Sequence, residues 1–187
     1  MNDLPIKLLN QDLINTVAEA AKTSKRLRKN HNFHELPEKV QRFINIMQPG
    51  TYVRPHRHTR PEQMNGFEFF LALQGKIGVL LFDEQGEIIH QEQLSPQKNN
   101  YGIEIAEGTF HTLVALAPNT VMFELKEGPY IPSSDKDFLS AFPPEGTPEA
   151  KTQVQAWEAL FTHDSKMKYS DVEDIPPNPS WEAEIAT

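Results

Sequence analysis

His56 and His58 stand one residue apart in the stretch GTYVRPHRHTRPEQMNGFEFFLALQG, which runs from Gly50 to Gly75. Glu68 follows ten residues after His58 and opens an aromatic, apolar run that stops at Gly75. A third imidazole, His111, sits in AEGTFHTLVAL, just past a glycine turn and just before an apolar segment. Three imidazoles and one carboxylate from separate strands of a barrel can converge on one point. Neutral imidazole nitrogen and carboxylate oxygen suit zinc, iron, nickel, manganese or cobalt, with coordination positions left over for water or substrate. The chemistry implied is one divalent transition metal (Zn, Fe, Ni or Mn among the leading choices) held by His56, His58, Glu68 and His111. The competing explanation is plainer: alternating polar residues at a strand end are common, and a His-x-His pair can simply fill out a polar barrel mouth.

Residues near these four extend the candidate site. Side chains alternate along a strand, so Tyr52, Arg54, His56 and His58 are expected to face one way. Arg54 on that face can receive a carboxylate or phosphate, or make a salt bridge at the rim. In VMFELK, Glu124 and Lys126 lie opposite in phase to Val121, Phe123 and Leu125, and either set can line the pocket. Tyr52, Arg54 and Lys126 are the expected ligand-binding residues. His31, His34, His90 and His163 lack matched partners and are expected at the surface or capping backbone.

The elements that must position these groups read mostly as strands. TYVRPHRH, FEFFLALQ, KIGVLLF, EIIHQEQL, YGIEIA, HTLVAL and TVMFELK are separated by Gly, Pro, Asn or Asp signals, and Val40 to Met47 also tends to alternation. Asp83 to Gly86 is a strong hairpin turn. Short strands without intervening helices point to a β-sandwich or barrel. Two helices flank them. NQDLINTVAEAAKTS carries Leu9, Leu13, Val17 and Ala20 at helical spacing. In TPEAKTQVQAWEALF, Thr147 can cap, Pro148 suits the first helical position, and Val154, Trp157 and Phe161 share a face. The segment EGPYIPSSDKDFLSAFPPEGTPE is expected to be an ordered loop and HDSKMKYSDVEDIPPNPSWEAEIAT an extended tail. The expected organisation is a barrel domain over residues 1–146 and a helix with its tail over 147–187.

Composition narrows the function. The chain has 187 residues, 38% of them hydrophobic, enough for a real core. A formal net charge of -8 argues against nucleic acid, whose phosphates need clustered Lys and Arg. The one basic cluster, KTSKRLRKNH from Lys22 to His31, reads as a solvated loop. With no cysteine, disulfides, Cys-zinc sites and thiol catalysis are excluded. No apolar run approaches the ~20 residues needed to span a bilayer. The amino terminus lacks a long apolar segment, so a cytoplasmic protein without membrane partners is expected. Neither a P-loop nor a nucleophile elbow is present.

Taken together, the motifs resemble those of the cupins. The first cupin motif is matched by Gly50, His56 and His58 and then by Glu68, FFLALQ and Gly75. The gap between His58 and Glu68 is longer than usual, which makes TRPEQMNG an inserted loop. Glu62 stands at the usual distance but has no glycine at the right place after it. Of the second motif Gly102, Gly108 and His111 remain, while Ala106 and Ala115 replace its proline and asparagine. The chain also resembles the WbuC family of small cupin-fold metalloproteins encoded in bacterial O-antigen gene clusters. That likeness lies in RLRKNHNFHE, GTYVRPHRHTRPE, GVLLFDEQGEI, GTFHTLVAL, FELKEGPY and DKDF. These resemblances imply an all-β double-stranded β-helix (a jelly-roll barrel) with helical additions at both ends. They imply a metal-dependent enzyme acting on a small polar or sugar-derived molecule in polysaccharide or nucleotide-sugar metabolism. A non-haem iron dioxygenase and a non-catalytic binding or sensory module are the alternatives. A divalent ion held by one carboxylate keeps net positive charge, so the expected partner is an anionic or polyhydroxyl small molecule. A homodimer is compatible with this reading.

Overall fold

A computed structural model describes residues 6–129 and 136–162. The expected tail and residues 130–135 of the expected loop lie outside the described residues, as does His163. Ten strands form two antiparallel sheets of five, ordered β1-β2-β9-β4-β7 and β10-β3-β8-β5-β6. In chain order these are β1 (Arg28–Asn32), β2 (Val40–Met47), β3 (His56–Arg57), β4 (Glu68–Gln74) and β5 (Ile77–Phe82). They continue with β6 (Ile88–Leu94), β7 (Gly102–Ile105), β8 (Phe110–Ala115), β9 (Thr120–Glu127) and β10 (Asp137–Phe138). The two helices are α1 (Gln11–Thr23) and α2 (Pro148–Leu160). This is the all-β jelly roll with a helical addition at each end.

Alternation decides what each sheet buries. On β2, β4 and β9 the residues Met47, Phe70, Ala72 and Met122 face the space between the sheets, where they meet Ile77, Val79, Leu113 and Ala115 of the second sheet. The opposite face of β2 and β9, with Ile44, Ile46 and Val121, takes Val17, Ala18 and Ala21 of α1. Leu80, Phe82 and Val114, on the outer face of the second sheet, take Val154 and Trp157 of α2. Each such large apolar side chain contributes roughly 1.5–3 kcal/mol by leaving water. Both helices begin on a capping side chain, that of α2 being the expected one. Asn10 accepts from the Leu13 amide at 3.0 Å, and Thr147 accepts from the Ala150 amide at 3.2 Å with Pro148 next in line. At the Asp83–Gly86 turn the Asp83 carboxylate accepts from the amides of Gln85 and Glu87.

Three expectations need correction. TYVRPHRH is not one strand: only His56 and Arg57 pair, because Pro55 offers no amide and the residues before it are held by other bonds. Thr51 donates its hydroxyl to the Leu27 carbonyl, and Arg54 donates to that of Phe142. The basic cluster is only partly a solvated loop, since Arg28 to Asn32 form β1, in register with Phe43 to Met47. The loop after β9 contains β10, which pairs Asp137 with Arg57 and Phe138 with His56.

Candidate metal centre

The four candidate ligands come from both sheets. His56 of β3 is the cross-strand partner of His111 on β8, and His58 follows directly after β3. Glu68, the first residue of β4, reaches across from the other sheet. All four side chains are buried, and one ligand atom from each lies within 4.8 Å of the others. His111 Nε2 is 2.8 Å from Glu68 Oε2, and His58 Nε2 is 3.1 Å from Glu68 Oε1.

Backbone carbonyls fix the orientation of two of the rings. His56 Nδ1 lies 2.9 Å from the Arg54 carbonyl and His111 Nδ1 lies 2.9 Å from the Thr109 carbonyl. A carbonyl only accepts, so each Nδ1 carries the proton and each Nε2 presents a lone pair to the cluster. The lone pair of His111 then faces a carboxylate oxygen at hydrogen-bond distance. Two acceptors so placed require a proton or a cation between them, and this donor set suits a divalent transition metal.

Electrostatics favour the ligand forms. Burial works to raise the Glu68 carboxyl, but the adjoining His111 and His58 rings and the Lys126 charge outweigh it and hold the group well below the usual carboxylate range. Burial, reinforced by the Lys136 charge, holds His56 well below its ordinary value and therefore neutral. An anionic carboxylate and a neutral imidazole are what a metal needs.

A cavity of about 800 Å³ opens from His56, Glu68 and His111 along the inner face of the first sheet. Lys126 and Glu124 are on this side, which settles their phase. Lys126 Nζ is 3.2 Å from Glu68 Oε1 and 3.7 Å from Glu124 Oε1. The Glu124 carboxyl is pushed up to about 8, first by burial and then by the neighbouring Glu68 charge. Asn45 donates to its other oxygen at 2.7 Å. Arg54 lines the cavity as expected, but its partners are the carbonyls of Leu139 and Phe142 rather than an acid, and it lies 5.2 Å from the Phe138 ring. Tyr52 is not brought to the cavity. Its ring stacks on Trp157 at 5.6 Å and its hydroxyl donates to the Pro143 carbonyl at 2.8 Å. The break at Pro55 ends the strand phase that placed it with the histidines. His34 is buried with its ring nitrogen bonded to the backbone of Arg42, the capping role among those expected, and His90 is exposed.

The inserted loop between His58 and Glu68 is held by a residue with no obvious sequence signal. Glu107, in the turn before His111, accepts from the amides of Arg60 and Gly66. In the same turn Gly108, at φ +79°, donates its amide to the His58 carbonyl at 2.9 Å. Two hydrogen bonds accepted by the carboxylate and one donated by the Gly108 amide thus tie the His111 turn to the loop that carries His58.

A family described as a domain of unknown function, DUF6016, matches residues 9–94, from the start of α1 to the end of β6. No curated protein matches the chain. Among solved structures, the capsular polysaccharide assembling protein CapF from Staphylococcus aureus is 25% identical, with a TM-score of 0.51 over 63% of this chain. A CapF structure with the inhibitor 3-isopropenyl-tropolone gives 25% and 0.50. This chain has the cupin fold. It spans about a third of the CapF chain, with 33% and 32% covered in the two structures. KdgF from Halomonas sp. is 22% identical, with a TM-score of 0.43 over 57% of this chain and 82% of its own. No helix among the described residues of this cupin-fold chain is long and apolar enough to cross a membrane.

Proposed function

We propose that this protein is a metal-dependent cupin enzyme in which His56, His58, Glu68 and His111 hold one divalent transition metal. Its substrate would be a small polar, sugar-derived molecule. The observation that carries this reading is the buried meeting of four ligand atoms within 4.8 Å, two of them on rings whose Nδ1 atoms are committed to backbone carbonyls. A bound metal would act as a Lewis acid or lower the pKa of a bound water. The chain's own residues supply the rest. Lys126 holds the Glu68 carboxylate in place, and Glu124, its carboxyl raised by burial, stands beside this pair on the cavity wall. Arg54, its charge left in place by carbonyl partners, is suited to orient an anionic group.

Two further observations support the sugar-derived substrate. The sequence blocks resemble the WbuC family, and CapF, which shares the fold, is described as a capsular polysaccharide assembling protein. Surface-polysaccharide or nucleotide-sugar metabolism is therefore the proposed setting, with the protein in the cytoplasm. Elemental analysis of tag-free protein tests the centre: near-stoichiometric transition metal is expected, and His111→Ala should lose most of it. Unchanged occupancy in that variant would overturn the assignment. Turnover of sugar-derived substrates that is lost with the metal distinguishes an enzyme from a binding module.

A further inference from the structure

The inner face of the first sheet changes character along its strands. At one end it is apolar, with Met47, Phe70, Ala72 and Met122 in the core. At the other it is polar, and the polar groups fall in register. Asn30 on β1 is the cross-strand partner of Asn45 on β2, and Asn32 pairs with Phe43, which in turn pairs with Glu124 on β9. Lys126 on β9 pairs with Glu68 on β4. Side-chain bonds run along this surface: Asn30 donates to Asn32 at 2.7 Å, Asn45 to Glu124 at 2.7 Å, and Lys126 to Glu68 at 3.2 Å. Asn30, Asn32 and Asn45 all line the cavity that begins at the metal centre.

We propose that Asn30, Asn32 and Asn45 form a distal subsite that reads the hydroxyls of a second sugar ring, so that the ligand is an acidic saccharide of two linked rings. The identification of the near end with the metal rests on the reading above. A carboxamide presents a donor and an acceptor side by side, matching a hydroxyl that also does both. A row of such amides facing a cavity is suited to a polyhydroxyl ligand and poorly suited to an apolar one. From β4, where Glu68 stands, to β1, where Asn30 stands, there are three strand spacings, roughly 14 Å. That is more than one sugar ring spans and about the reach of two linked rings. The cavity, at about 800 Å³, is also in the upper part of the range for small-molecule sites. Acidity is called for at the metal end, where Arg54 lines the wall and its hydrogen-bond partners among the described residues are the carbonyls of Phe142 and Leu139.

The test is calorimetric titration of the full, metal-loaded chain with digalacturonate, galacturonate and neutral maltose. Digalacturonate should bind at least tenfold tighter than either of the others. Asn30→Ala and Asn45→Ala should each weaken digalacturonate about fivefold, as loss of one hydrogen bond implies, and leave galacturonate unchanged. Asn30 is exposed on an edge strand, so its replacement should leave the unfolding midpoint where it was. Equal affinity for one ring and two, equal weakening of both by the amide variants, or no binding of any probe at millimolar concentration would overturn the subsite. Chelated protein separates this from the metal reading. If only the metal reading fails, chelation leaves digalacturonate affinity intact and the amide variants still weaken it.

Discussion

Lys126 and Glu68 are cross-strand partners on β9 and β4, and their side chains meet at 3.2 Å in the buried floor of the cavity. The ammonium balances the carboxylate when no cation is present, and a metal would take over much of that role. Lys126→Met should therefore be far more costly in chelated protein than in loaded protein. Breaking a buried pair costs about 3–5 kcal/mol, and most of that loss should disappear on metal loading. Thermal unfolding with and without chelator measures it. An equal drop in both states would mean that Lys126 stabilises the fold independently of the centre.

The two acids after His-x-His differ in burial as well as spacing. Glu68 is buried against His58 and His111, whereas Glu62 is exposed in the inserted loop. Glu68→Gln should release most of the metal on dialysis, and Glu62→Gln should retain it. Elemental analysis after dialysis decides, and the reverse order would place the ligand in the loop.

Much of this centre was legible in the sequence because its constraints are local. Glu68 could be chosen over Glu62 because β4 alternates from Glu68 to Ala72 and ends at Gly75, whose φ of +76° against Thr120 leaves no room for a side chain. The start of α2 was equally plain, since Thr147 and Pro148 act within one turn. Tyr52 was misplaced because a phase argument holds only while the strand continues, and this one stops at Pro55. β1 escaped notice because RKNHN has no apolar alternation: it is an edge strand whose inner side faces a wet cavity rather than the core. The side chosen by Glu124 and Lys126 depended on which sheet face α1 covers, a tertiary fact that β9 alone does not carry.

Glu107 acts on residues more than 40 positions before it, with no local signal to mark it. Its carboxylate holds the amides of Arg60 and Gly66, so Glu107→Ala should free the inserted loop while leaving the sheets intact. Hydrogen exchange at those two amides should accelerate by an order of magnitude or more, with exchange in β4 and β9 unchanged. Metal retention should fall less than in Glu68→Gln, because the Gly108 amide still bonds the His58 carbonyl. Unaltered exchange at Arg60 and Gly66 would show that the loop is held by something else.

Tyr52 offers a control outside the cavity and a signed pH effect. Burial pushes its phenol up to about 12, against about 10 in an unfolded chain. Between those values the unfolded chain ionises while the folded protein keeps the proton. Stability associated with Tyr52 is thus present below about pH 10 and is lost as pH rises toward about 12. Tyr52→Phe removes the bond to the Pro143 carbonyl, which should cost about 1 kcal/mol at neutral pH. It also removes the ionisation, so the deficit should shrink as pH climbs past about 10. Denaturant unfolding across that range gives the curve, and a deficit that grows with pH would reverse the assignment of the phenol. Metal content and saccharide affinity should match the parent protein throughout, because the ring stacks on Trp157 and not on the cavity wall. Loss of either would return Tyr52 to the ligand site.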